Sequence, residues 1–237
     1  MMVQEFTRGL GIILAYFFVL AALAVIMKQF VQVPKEVFRK MLHMILLGSV
    51  LAWTYGFETW WIAVGALFVF LLVVFPILHL AEKVPGYSEL LVERKQGEIK
   101  RSLIAVCVML ASLITACWGL FGQRYLVLAA VAAWGLGDAA AALVGKRFGK
   151  HYIEGKLVEG RKSREGTLAM FVVSFISVLI VLLAQGSLKW HGYILIALVT
   201  AAVTSFVELY TKGGMDTLTC PLAAASVLIP LVYLWGV

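Results

Sequence analysis

The chain has 237 residues, 62% of them hydrophobic and only 14% charged, with a formal net charge of +7. A soluble domain is nearer half apolar and a quarter charged, so these proportions exclude an ordinary water-soluble globular protein and call for lipid as the solvent. The excess of Lys and Arg sits in loops between apolar runs, which points to membrane topology and anionic ligands and away from nucleic acid.

A helix needs about 20 apolar residues to cross a bilayer core. Taken in chain order, such runs predict spans at 9–27, 41–53, 59–80, 103–121, 125–144, 167–184, 192–210 and 217–235. The expected fold is all-α: a polytopic membrane protein with about seven or eight transmembrane helices in one transmembrane domain over 1–237. The first run is flanked by Glu5 and Arg8, not by a basic segment, and leads into more membrane; it reads as a retained span and not as a signal peptide. The second is short and extends backward through Lys40, whose long side chain can snorkel. The eighth carries Pro221 and Pro230. Cys107, Cys117 and Cys220 fall in apolar stretches with no CxxC pair, so they read as buried packing residues without a disulfide framework or a zinc site.

Alternate loops, 28–40, 81–101, 145–166 and 211–216, hold 17 of the 20 Lys and Arg, leaving only Arg8, Arg124 and Lys189 for the other side. The positive-inside rule places the first set in the cytoplasm, with both termini outside for eight spans, in a bacterial inner membrane or an intracellular membrane. Loops 81–101 and 145–166 are the long ones, where a soluble ligand can be met. Within the former, Glu82, Glu89, Glu93 and Glu98 accompany five bases and read as a solvated, self-neutralising loop. His79 and His191 stand apart from comparable partners and read as structural.

Three stretches carry residues suited to chemistry. In the first, Pro34 suits a helix start, and Glu36, Lys40 and His43 share one helical face with Arg39 alongside; such a face suits anion binding. In the second, Ala129, Ala133, Gly137, Ala141 and Gly145 recur every fourth residue, a small-residue ridge that lets another helix approach closely. Asp138 lies beside that ridge. A carboxylate in an apolar helix is costly unless it is paired, lines a wet cavity or binds a cation, so it reads as a magnesium ligand or catalytic carboxylate in preference to a buried ion pair. The same stretch continues into Gly145-Lys146-Arg147-Phe148-Gly149-Lys150, whose glycines and cations can close on phosphate, although the Walker A spacing is absent. Arg161-Lys162-Ser163-Arg164-Glu165-Gly166-Thr167 follows at an expected helix start, which favours anions. In the third stretch, Thr200, Thr204, Glu208 and Thr211 form a polar stripe, and Asp216 follows the Gly213-Gly214 turn. Asp138, Glu208 and Asp216 are thus three acids at the ends of three spans on the basic side, candidate metal ligands facing loop cations.

In this order, Arg39-Lys40-Met41-Leu42-His43, the run from Gly137-Asp138 to Phe148-Gly149, Lys162-Ser163-Arg164-Glu165-Gly166-Thr167-Leu168-Ala169, and Glu208 with Asp216-Thr217-Leu218-Thr219-Cys220-Pro221-Leu222 resemble the family of dolichol kinase, phytol kinase and CTP-dependent diacylglycerol kinase. Thr217 stands where that family usually has Asn. The resemblance implies transfer of the γ-phosphate of CTP to the hydroxyl of a membrane lipid (a polyprenol, a phytol-like alcohol or diacylglycerol) with Mg2+ or another divalent cation. It implies essential roles for Arg39, Lys40, Asp138, Gly145, Lys162 and Glu165. Lys146, Arg147, Gly149, Ser163 and His43 are the further candidates for holding the triphosphate, and Asp138, Glu208 and Asp216 for the metal. The Gly-Asp and Lys-Ser-x-Glu-Gly elements also resemble phosphatidate cytidylyltransferase. That enzyme's carboxyl-terminal signature pairs Lys-Asp with Gly-Gly-x-x-Asp-Arg, and this chain has no Lys-Asp dipeptide and no Arg after Asp216. A transporter or scaffold would spread its acids through the membrane depth, whereas these three gather toward one face.

Overall fold

The computed structural model describes residues 1–31, 33–87, 92, 97–155, 158–186 and 188–235. Regular structure among them is helical: α1 Met2–Phe30, α2 Lys35–Tyr55, α3 Trp60–Ala81, α4 Glu98–Leu113 running on as a π-helical segment Ile114–Leu120, α5 Arg124–Phe148, α6 Arg164–Gln185, α7 Trp190–Tyr210 and α8 Asp216–Trp235. Eight of these helical stretches, with Glu98–Leu120 counted as one, are long and apolar enough to cross a membrane. They coincide with the eight predicted spans. The helices overrun the apolar runs at the polar ends, most clearly in α2, where Pro34 is the N-cap and Lys35–Lys40 are helical. Arg39 pairs with Glu36 at 3.0 Å one turn away, and that pair lets the helix continue past the apolar stretch. The prolines at 221 and 230 lie inside a continuous α8, as membrane helices allow when neighbours satisfy the freed backbone groups.

The chain divides into two compact units, Met1–Ile114 and Thr115–Val237. In the first, α1 packs on α2 and α3, and α3 on α4. Glu5 of α1 accepts the backbone N–H groups of Glu58 and Thr59, both at 2.9 Å, and so caps the start of α3. Tyr16 donates its hydroxyl to the Ile45 carbonyl at 2.7 Å, and Trp53 stacks on Phe57 and meets Phe70 edge-on. Glu82 is neutralised by a base of its own loop, as expected, but not in solvent. Its side chain is only 10% exposed and pairs with Lys100 at 2.7 Å. Lys100 Nζ also lies 3.2 Å from His79 Nδ1, so His79 has a charged neighbour that sequence position concealed. Both contacts arise because the start of α4 returns to the end of α3. Glu89 and Glu93 lie outside the described residues.

In the second unit α5 is the central helix, packed on α6, α7 and α8. Its small-residue ridge is what α6 presses against. Ser174 of α6 donates to the Ala133 carbonyl at 2.5 Å, and a Cβ on Gly137 would collide with Ser174 Oγ and stand 3.0 Å from Met170 Cγ. The opposite face of α6 exposes Leu168, Val172, Ile176, Ile180 and Leu183, large apolar groups suited to lipid and an aggregation hazard in water. Small residues thus face protein and large ones face lipid, as membrane packing demands. Cys107, Cys117 and Cys220 are buried free thiols, in keeping with the packing role expected of them. Gly137→Ala is expected to destabilise by about 1–3 kcal/mol through overpacking. Gly65→Ala, where a Cβ meets nothing within 4 Å, should be neutral or stabilising; thermal unfolding in detergent compares the two.

Candidate functional site

One end of the second unit gathers the C-terminal ends of α5 and α7 and the N-terminal ends of α6 and α8. Alternating helix direction puts the acids expected from sequence there: Asp138 toward the end of α5, Glu208 in the last turn of α7 and Asp216 as the first residue of α8. The charges of Asp138 and Asp216 both act on Glu208.

α5 closes with Lys146 and Arg147 in its last turn, where cations complement the helix dipole; both are exposed. Beyond Gly149 the chain forms a short hairpin. Tyr152 and Ser163 make an antiparallel bridge, the Ile153 N–H donates to the Lys162 carbonyl, and the Arg164 N–H donates to the His151 carbonyl, each at 2.9 Å. Ser163 is the N-cap of α6, its hydroxyl accepting the Gly166 N–H at 3.1 Å. It is buried among three glycines. A Cβ on Gly145 would stand 3.3 Å from Ser163 Oγ, one on Gly149 2.9 Å, and one on Gly166 3.3 Å. Gly145, Gly149 and Ser163 therefore serve the close seating of the hairpin on α5 and α6, while the exposed cations beside them remain open to solution.

Lys162 is directed into the acidic end. Its ammonium lies 2.9 Å from Glu208 Oε1, with the two side chains only 20% and 14% exposed, and it also donates to the Glu208 backbone carbonyl. That carbonyl, in the last turn of α7 where intrahelical donors run out, also takes the Thr211 N–H at 3.2 Å, so Lys162 pairs with Glu208 and adds to the cap of α7. Asp216 Oδ2 accepts from Trp134 Nε1 at 3.4 Å. The turn before it uses Gly213 and Gly214 at φ +66° and +73°, a conformation glycine adopts without steric cost. The Gly213 N–H is taken by Glu159, and the hydroxyls of Thr211 and Thr219 meet at 3.0 Å across the turn. Glu165, in the first turn of α6, accepts from His151 Nδ1 at 2.6 Å and from the backbone N–H groups of Lys150 and His151 at 3.2 and 3.3 Å.

Among the described residues, no three His, Cys, Asp or Glu side chains stand close enough to hold a metal ion by themselves. Asp138, Glu208 and Asp216 share an end of the unit, and the charges of the two Asp act on Glu208, yet Glu208 is engaged by Lys162. Arg39, Lys40 and His43 lie on α2 in the first unit, Lys40 buried and Arg39 paired with Glu36. Three partners escape a reading of the sequence alone. His151 and Glu159 sit in a loop whose charges look like topology charges, and Trp134 looks like packing, although its place one turn before Asp138 on α5 was a usable signal.

No protein-family model matches the chain, and no solved structure does. Among curated proteins, phytol kinase of Synechocystis sp. is 32% identical over 216 residues, which span 85% of this chain and 82% of that protein. With that identity and coverage, on an all-helical chain with eight candidate membrane spans, the protein belongs to the family of membrane lipid-alcohol kinases that includes phytol kinase.

Proposed function

We propose that the protein transfers the γ-phosphate of CTP to the hydroxyl of a long-chain lipid alcohol, phytol-like or polyprenyl, with Mg2+ carried in on the nucleotide. The observation that supports this most is the acidic end of the second unit, where Asp138, Asp216 and the Lys162–Glu208 pair lie beside the exposed cations of the 145–166 loop. A magnesium ion that arrives on a triphosphate brings phosphate oxygens and waters as ligands and needs only one or two protein carboxylates. Asp138 and Asp216 suit that number without a preformed cage. Lys146, Arg147 and Lys150 would balance the triphosphate charge, and Asp138 would orient the lipid hydroxyl or be a ligand to the metal. Catalysis of this kind rests on positioning and on charge stabilisation. In the first unit, Arg39, Lys40 and His43 offer a cationic helix face for an anionic group. The excess of Lys and Arg in this loop set supports a cytoplasmic nucleotide site. CTP as donor rests on the family motif.

The test uses purified protein in detergent with magnesium, γ-labelled CTP or γ-labelled ATP, and phytol, a polyprenol or diacylglycerol in turn. Label entering phytol or the polyprenol from CTP and not from ATP is the expected result. Label entering from ATP alone would overturn the donor, and label confined to diacylglycerol would overturn the alcohol class.

A further inference from the structure

We infer that His151 is a positioning residue, clamped by Glu165, that holds the loop after α5 so that Lys162 reaches the acidic end. The inference rests on the kinase reading for its consequence in catalysis, though not for its geometry. Among the described residues, the hairpin joining α5 to α6 is tied by one antiparallel bridge, Tyr152 with Ser163, and by two cross-strand backbone hydrogen bonds. A two-stranded ribbon of that size is marginal in water, so something else must fix it. Glu165 does so. It is anchored in the first turn of α6, behind the Ser163 cap, and takes three donors from the opposite side of the ribbon: His151 Nδ1 and the backbone N–H groups of Lys150 and His151. Arg161 stacked 4.1 Å over the Tyr152 ring adds a second cross-strand contact. Lys162 occupies the ribbon between these ties, with its carbonyl bonded to Ile153 N–H, and from there its ammonium reaches Glu208. The position of Lys162 is thereby set by the ribbon. Glu165, which family likeness would enrol in the chemistry, has its carboxylate occupied in holding this loop.

A mere stability role and a positioning role separate experimentally because His151 is 70% exposed in its side chain, so its removal opens no cavity. His151→Ala and Glu165→Ala are expected to speed amide exchange across 150–155 and 161–164 while the melting temperature in detergent falls less than in Lys162→Met. Each should lower kcat by about 10–100-fold with little change in KM for nucleotide, the size expected when a reacting group is displaced by about an ångström. The double variant should be no worse than Glu165→Ala alone. His151→Asn, whose amide N–H can stand in for Nδ1–H, and Glu165→Gln, which keeps an oxygen for the loop amides, should each recover most of the rate. Exchange unchanged in His151→Ala would overturn the inference, and so would Glu165→Gln as inactive as Glu165→Ala, since the carboxylate would then act in the chemistry. If the wild type phosphorylates no lipid at all, the kinase reading fails, and the exchange comparison alone decides the clamp.

Discussion

Asp138→Asn is expected to abolish lipid phosphorylation, lowering kcat by about 10²–10⁴-fold as loss of a positioned catalytic carboxylate does, with the melting temperature in detergent unchanged. Asn has the shape of Asp, so α5 keeps its packing on α6, α7 and α8. The substitution also removes a negative charge that acts on Glu208, which relieves repulsion there. What disappears is the charge that could bind magnesium or orient a hydroxyl. Asp138→Glu keeps the charge but advances it by a methylene and should recover little activity, because near-attack geometry tolerates little displacement. Phosphate transfer at wild-type rate by Asp138→Asn would place the chemistry elsewhere.

Lys162→Met is expected to lose both activity and stability. Glu208, 14% exposed, would lose its ion partner, and its carbonyl, which also accepts the Thr211 N–H at 3.2 Å, would lose the Lys162 donor. Breaking a buried pair from one side costs about 3–5 kcal/mol; water reaches a fifth of Lys162, which places the expected loss near the lower end, about 3 kcal/mol. Adding Glu208→Gln should restore most of the stability, since the uncompensated charge is then gone, and should leave activity absent. Thermal unfolding of the two single variants and the double, read as a cycle, gives the coupling. A Lys162→Met protein as stable as the wild type would show that the pair contributes nothing to the fold.

The spans were legible because all the apolar runs but the short second one are near bilayer length, and lipid-facing helices have no other solvent to suit. Their ends were less so. α2 begins at Lys35, six residues before its apolar run, because Pro34 starts the helix and Glu36–Arg39 neutralise each other. The ridge from Ala129 to Gly145 announced a close helix neighbour through its four-residue spacing, though not that α6 would be that neighbour. The π-helical segment Ile114–Leu120 left no trace in the pattern, since a slip of one hydrogen bond alters no periodicity that seven residues, mostly apolar, could display. Within the site, chain alternation was enough to bring Asp138, Glu208 and Asp216 to one end. The pairing of Lys162 with Glu208 spans 46 residues and depends on the hairpin, which no local propensity encodes. The His151–Glu165 tie has the same origin.

The most direct test of the central claim is label transfer from CTP carrying the label on either its γ or its α phosphate, with purified protein, magnesium and a mixed lipid extract. Label from the γ position alone should enter the lipid phase, in a product that treatment with phosphatase returns to a free alcohol. Label from the α position in lipid would mean that a cytidylyl group had been transferred, and would contradict phosphorylation of a lipid alcohol by this protein.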